Sequence, residues 1–483
     1  MRTEAGHSSK PLWGFGDLVS AAGGTPDGAP VHDLRGFSID SRAIAPGDVF
    51  IALKDKRDGH DFVSAAFAAG AAAAIVEAGY RRKAGDGALV RVPDTLDALR
   101  SIGSAARARL SPDARVIAVT GSSGKTTTKD LLRTALANLG ATHAAEKSFN
   151  NHWGVPLTLA RMPADTRYAV IEIGMNHSGE ITPLTRLVRP HVAVVLNVLP
   201  AHLGNFNSED EIAEAKAEIF QGLEPGGVAI INRDSKHYAL LRARAETSGA
   251  SILTFGGEDA DARLKSCGGP AGGGAGQEVL AELPASGGID YELALSGRHI
   301  AENSVAALLA IEAAGGDVRQ AASALSRVKP SRGRGERTTL GVPGGSILII
   351  DESYNANPAS MAAAIRTAGQ IRAQASGRLI LALGEMLELG AEAEALHRGL
   401  SAEIDAAGVD LVFACGPNMG ALFRTLPEGR RGHWADKSDG LSSPLLAALK
   451  PGDIVMVKGS NASGMATLVA ALKERHTALE NRV

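Results

Sequence analysis

The apolar run at residues 116–119 is followed at once by Thr120-Gly121-Ser122-Ser123-Gly124-Lys125-Thr126-Thr127 and then by a helical pattern over 126–139. Few folds accept that order. A buried strand, a glycine-bearing turn and a helix open a βαβ unit, which commits this part of the chain to a parallel sheet with crossover helices. The turn also has a chemical signature. Its glycines let backbone N–H groups wrap a phosphate chain, the helix N-terminus adds partial positive charge, and Lys125 offsets the β/γ-phosphates, while the Thr126 hydroxyl can ligate Mg²⁺. Gly121, Ser122, Ser123, Gly124, Lys125, Thr126 and Thr127 are therefore the expected ATP-binding residues, with ATP and Mg²⁺ as the expected cofactors. The usual loop places glycine five residues before Gly124, where this chain has Val119, so the match is to a shorter form. A mere strand–helix turn would need neither the lysine nor the hydroxyl that follows it.

Further buried-strand patterns at 169–173, 192–195 and 228–231 extend this unit. A third unit starts after the turn at 331–335, with apolar strands at 347–350, 379–383, 411–413 and 454–457 alternating with helical stretches. Ahead of both lies a small α/β unit with a strand at 48–53, a helix at 62–69, a strand at 74–76 and a helix over 96–110 that stops at Ser111-Pro112, since proline disfavours helix in the residue before it. The 483 residues fit about three domains. The expected architecture is α/β in three domains: 1–111, a central doubly wound phosphate-loop domain at 112–332, and a Rossmann-like C-terminal domain at 333–483. The glycine-rich run 268–276 reads as a surface loop.

Composition narrows the partners. A formal charge of −3 provides no field for polyanions, so no nucleic-acid partner is expected. Cys267 and Cys415 stand in no disulfide or zinc spacing, and no apolar stretch is long enough to span a bilayer, so a reduced, cytoplasmic protein is expected. Ligands of open α/β sheets bind beyond the carboxyl ends of strands. Glu172, near the end of the strand at 169–173, is thus a candidate Mg²⁺ ligand, and the next strand runs on into Asn197 and His202. Lys216, taken alone, reads as a helix-surface lysine.

The loop TGSSGKTTT, the segment Asn150-Asn151-His152-Trp153-Gly154-Val155-Pro156, then VIEIGMNHSGEI, AHLGNF and AEAKAEIF occur in the order and spacing of the Mur ligases, and the chain resembles that family from about residue 37 to 471. The resemblance implies three α/β domains, for a UDP-linked substrate, for ATP, and for closure. It also implies a reaction in which a substrate carboxylate attacks the γ-phosphate of ATP and an amine then displaces phosphate from the acyl phosphate. It implies that Thr126 and Glu172 hold one Mg²⁺, that His202 serves a second with a carbamylated Lys216, and that Lys125, Glu172, His202 and Lys216 form the catalytic set. Gly297-Arg298-His299-Ile300-Ala301-Glu302-Asn303 resembles the family's helix start, in which Asn303 faces adenine; Ile300 replaces an asparagine. Arg334 matches an arginine that reaches phosphate. Tyr354-Asn355-Ala356-Asn357-Pro358 resembles the segment of the members that add D-alanyl-D-alanine to a UDP-N-acetylmuramoyl-tripeptide, which makes those two the implied partners, with Tyr354, Asn355, Asn357, Asn150 and Asn151 facing substrate. Glu352 and Glu385 stand where aspartate is usual, and Asn461 replaces an arginine. Asp40-Ser41-Arg42 resembles the UDP-precursor domain, with Ser41 and Arg42 as its contacts. Another ligase on this architecture lacks the Tyr354–Pro358 segment, and a phosphate-loop switch would not need Glu172, His202 and Lys216 together. Oligomeric state is not legible.

Overall fold

The computed structural model describes residues 11–200, 203–269 and 276–476. His202 and most of the glycine-rich run therefore lie outside the described residues. Three sheets organise the chain. The first has five strands, in the order Thr25–Asp27, Ala88–Val92, Ala73–Glu77, Asp48–Ile51, Gly36–Ser38, parallel except for the first. Its helix Thr95–Ala108 is capped by Asp94, whose side chain accepts from the Asp97 N–H.

The central sheet has nine strands, and Arg115–Thr120 runs between Val192–Val195 and Tyr168–Glu172, parallel to both. These strands are apolar on both faces because both are covered. Ile117, Val119, Val170 and Val194 pack with Leu131 and Leu132 of helix Lys125–Ala137 and with Val305 and Leu308 of helix Arg298–Ala313. Val116, Ala118, Ile171 and Val195 face the other way, onto helices Gly154–Ala160, Ile181–Val188 and Glu209–Ala217. A parallel sheet with crossovers is therefore confirmed, with an addition. Strands Ala262–Gly268, Gln277–Leu283 and Gly287–Leu293 continue it as an antiparallel meander. Their burial alternates, so they resemble surface polarity patterns more than the solid apolar runs by which the parallel strands are recognised.

The third sheet runs Glu336–Val342, Gly345–Glu352, Ile454–Lys458, Leu379–Gly384, Leu411–Cys415, Arg431–Ala435. All pairs are parallel but the first, a hairpin closed by Pro343 and Gly344, the latter at φ +85°. Strand Ile454–Lys458 inserts between two strands that precede it in the chain, which creates a switch point above the carboxyl ends of Gly345–Glu352 and Ile454–Lys458. The central sheet has its own switch point above Arg115–Thr120. The two openings share one cleft. Cys267 and Cys415 are free thiols, and no helix among the described residues is long and apolar enough to cross a membrane.

Candidate active site

A cleft of about 530 Å³ lies between the carboxyl ends of the central and C-terminal sheets. Ser122 to Thr127 form its floor, and Asn303, Arg334, Glu352, the residues Tyr354 to Asn357 and Lys458 close over it. The floor is shaped by glycine. Gly124 adopts φ +82° as the cap of helix Lys125–Ala137, and a Cβ there would stand 2.6 Å from Asn303 Nδ2, so the loop and helix Arg298–Ala313 touch at a position that tolerates no side chain. The loop is also tied to the next strand's exit: Asn197 Oδ1 accepts from the Ser123 N–H at 2.9 Å, and Ser122 Oγ accepts from the Leu199 N–H at 3.0 Å.

Lys125 folds back to donate to the Gly121 carbonyl at 2.7 Å. Burial pushes its ammonium below the ordinary lysine range, with the Glu172 carboxylate opposing that shift. Glu172 is itself 2% exposed. Its two oxygens accept from Thr126 Oγ1 at 2.8 Å and from Asn150 Nδ2 at 2.7 Å. A buried hydroxyl and carboxylate held oxygen to oxygen at a helix N-terminus are hard donors of the type Mg²⁺ takes while keeping several waters. Among the described residues no group of three or more His, Cys, Asp or Glu could hold a metal. The residues present fit a nucleotide-borne Mg²⁺ and a polyphosphate: Lys125, Arg334 and Lys458 bring positive charge to one cleft, and each of the two lysines is held down by burial and by the Arg334 charge.

Lys216 departs from its reading as a surface lysine. It is 3% exposed on helix Glu209–Ala217, makes no hydrogen bond or ion pair among the described residues, and is pushed well below the lysine range, first by burial and then by the Lys125 charge. The helix carries Ile212, Ala213, Ala215 and Ala217 into the core, and position 216 goes in with them. Its partner in the expected set, His202, lies outside the described residues.

Asn150 and Asn151 line the cleft, although Asn151 Oδ1 is engaged by the Gly154 N–H at 2.9 Å. Asn357 likewise caps helix Pro358–Arg372 by accepting from the Ser360 N–H. Ser41 and Arg42 are elsewhere. Neither lines the cleft, and the exposed Arg42 guanidinium is held bidentate by Asp40 at 2.9 and 2.8 Å, which depresses the Asp40 carboxyl. Lys147 stands close enough to lower the same carboxyl further. Residues 147–150 therefore run from the Asp40 turn to Glu172.

Two cleft residues, Ser148 and Lys458, were assigned no role from the sequence. Ser148 Oγ lies 2.9 Å from Thr126 Oγ1 and accepts from Arg334 at 3.3 Å, joining loop to linker; nothing local marks it. Lys458 donates to the Asn355 carbonyl at 2.9 Å and sits 3.4 Å from Glu352, its register neighbour on the adjoining strand. Its place at the end of a buried parallel strand was the available signal. Glu385, by contrast, turns away to accept from the Asn418 N–H at the start of helix Pro417–Thr425.

Three family models match in sequence along the chain: the Mur ligase family catalytic domain at 33–107, the Mur ligase middle domain at 119–311, and the Mur ligase glutamate ligase domain at 333–461. The chain belongs to the Mur ligase family. Within it, the UDP-N-acetylmuramoyl-tripeptide–D-alanyl-D-alanine ligase of Escherichia coli (strain K12) is 35% identical over 462 residues, which cover 95% of this chain and 98% of that one. A crystal structure of MurF from Acinetobacter baumannii superposes with a TM-score of 0.79 at 32% identity, covering 96% of this chain and 100% of the other. MurF ligase from Thermotoga maritima in complex with ADP gives 0.74 at 27% identity, covering 93% and 99%.

Proposed function

We propose that the protein is an ATP-dependent peptide ligase that joins D-alanyl-D-alanine to UDP-N-acetylmuramoyl-tripeptide in the cytoplasm, through an acyl-phosphate intermediate and with release of ADP and phosphate, as a step of peptidoglycan precursor synthesis. The observation that carries this reading is the single cleft in which a phosphate loop, the Thr126–Glu172 pair and three cations meet the segment Tyr354 to Asn357. The near-full-length identity to ligases of that name supports the choice of substrates.

The division of labour follows the three units, 1–111, 112–332 and 333–483. Ser41 and Arg42 take the UDP end, and residues 147–151 lead the tripeptide arm toward Glu172. Gly121 to Thr127 bind the phosphates, with Asn303 on the base side. The tripeptide carboxylate and the γ-phosphate are both anionic, so their approach requires fixed positive charge that is already desolvated. Lys125 and Arg334 meet that need. Mg²⁺, held by Thr126 and Glu172, would spread charge off the phosphates. Lys216 and His202 are assigned to a second metal. A buried lysine with a depressed pKa holds the neutral amine that carbamate formation with carbon dioxide requires, and the carbamate would replace a cation by an oxygen donor. A smaller hollow of about 330 Å³, lined by Tyr354 to Asn357, Leu387 to Leu389 and Ser460 to Ala462, adjoins the cleft and offers the amine a place to approach.

Phosphate release from ATP is the test. Turnover should depend strictly on both UDP-tripeptide and D-Ala-D-Ala. Equal release with a single amino acid in place of the dipeptide would refute the assignment.

A further inference from the structure

Tyr354 is one of only a few large apolar side chains left exposed among the described residues, at 38%, and its hydroxyl makes no hydrogen bond there. Its ring is engaged instead. The Arg334 guanidinium lies over it at 4.1 Å from the centroid, and no carboxylate among the described residues is within ion-pair range of Arg334. The backbones are strapped together as well. The Tyr354 N–H donates to the Gly333 carbonyl at 3.1 Å, and Gly333, at φ +74°, approaches so closely that a Cβ would stand 2.9 Å from the Tyr354 nitrogen. On its other side Arg334 reaches Ser148, which contacts Thr126 of the phosphate loop.

We propose that Tyr354 is a positioning residue for Arg334: its aromatic face, rather than its hydroxyl, holds the guanidinium at the mouth of the phosphate loop, and so couples the C-terminal segment that meets the second substrate to the phosphoryl site. This rests on the ligase reading above and assigns Tyr354 a different task from the substrate contact expected of it. The physical case is direct. A long cationic side chain without a carboxylate partner is spread over many rotamers unless something flat holds it, and a tyrosine face does so at little entropic cost of its own.

The test uses the full chain, with equilibrium binding of a non-hydrolysable ATP analogue with Mg²⁺ measured by calorimetry beside steady-state kinetics. Tyr354→Leu should weaken analogue binding or lower kcat/KM for ATP by about two- to thirtyfold, the span of a cation–π contact from exposed to desolvated. Any change in KM for D-Ala-D-Ala, whose hollow Tyr354 also lines, should be smaller than the loss read on ATP. Tyr354→Phe, which keeps the ring, should recover all but about twofold of that loss, and in an Arg334→Ala background Tyr354→Leu should add nothing. Losses that are equal for Phe and Leu, additive with Arg334→Ala, or confined to the dipeptide KM would each overturn the positioning role while leaving the ligase reading intact. An Arg334→Ala protein with undiminished ATP binding and turnover would remove both the positioning role and the phosphate contact assigned to Arg334.

Discussion

Replacing Gly124 by alanine adds one methyl group at the point where the phosphate loop touches the helix carrying Asn303. At φ +82° an L-residue is in left-handed backbone, at a cost of about 1–2 kcal/mol. The new Cβ would lie 2.6 Å from Asn303 Nδ2, well inside contact distance. Asn303 is only 7% exposed, so its amide must leave its rotamer, which adds roughly 0.5–1.5 kcal/mol. Together these come to about 1.5–3.5 kcal/mol, which for a unit of this size lowers the melting temperature by roughly 3–14 °C. The nucleotide site suffers separately, because the displaced amide is the one assigned to the base and the tilted loop mis-aims its N–H groups. An ATP analogue should bind at least about tenfold more weakly, the equivalent of 1.4 kcal/mol. Thermal unfolding and calorimetry on the same preparation measure both. Adding Asn303→Ala should relieve the clash but not the φ strain, so the double variant is more stable than the sum of the singles while its affinity stays low. A Gly124→Ala protein that melts and binds like the parent would refute the account of why the loop has glycine there.

Lys125→Ala should lose kcat by about a hundredfold or more, the scale of removing one preorganised partner of the transferring group, and near-normal turnover in a stopped assay would sink the phosphate-loop assignment. Lys216→Ala should bind ATP yet turn over poorly, with partial rescue by short carboxylic acids; if it keeps most of the parent rate in carbon-dioxide-depleted buffer, the carbamate is wrong. Burial holds His143 and His191 at a pKa of about 4, and His191 Nδ1 accepts from the Val116 N–H, which requires a neutral ring. Below pH 6.5 the unfolded chain therefore binds protons that the folded one refuses, so these residues cost stability progressively from pH 6.5 down to about 4 and nothing above that window. Denaturant unfolding at pH 5 and pH 7.5 should show the difference, and a His143→Gln variant with an undiminished slope would exclude that residue from it.

Those parts of the protein that depend on local chemistry were legible in the order of its residues. The apolar run at 116–119, followed by a glycine-bearing turn, reads as a strand covered on both faces, and the glycines, lysine and hydroxyls after it suit a phosphate chain wherever the loop lies. The strands at 192–195, 228–232, 379–384 and 454–458 were legible for the same reason. The meander over 262–293 was not, since strands half-exposed to water alternate and carry no such signature. Everything that depends on distance through space had to wait for the tertiary structure. It buries Lys216, because the helix 209–217 turns that face toward the core and away from water. It sets Lys458 beside Glu352 through a strand inserted out of chain order, and it sends Glu385 to cap a helix. It also brings Ser148 from a featureless stretch to within 2.9 Å of Thr126, and lays Arg334 on Tyr354. Residue types reveal what a side chain can do, but the partner that makes it do so is chosen by which strands lie side by side.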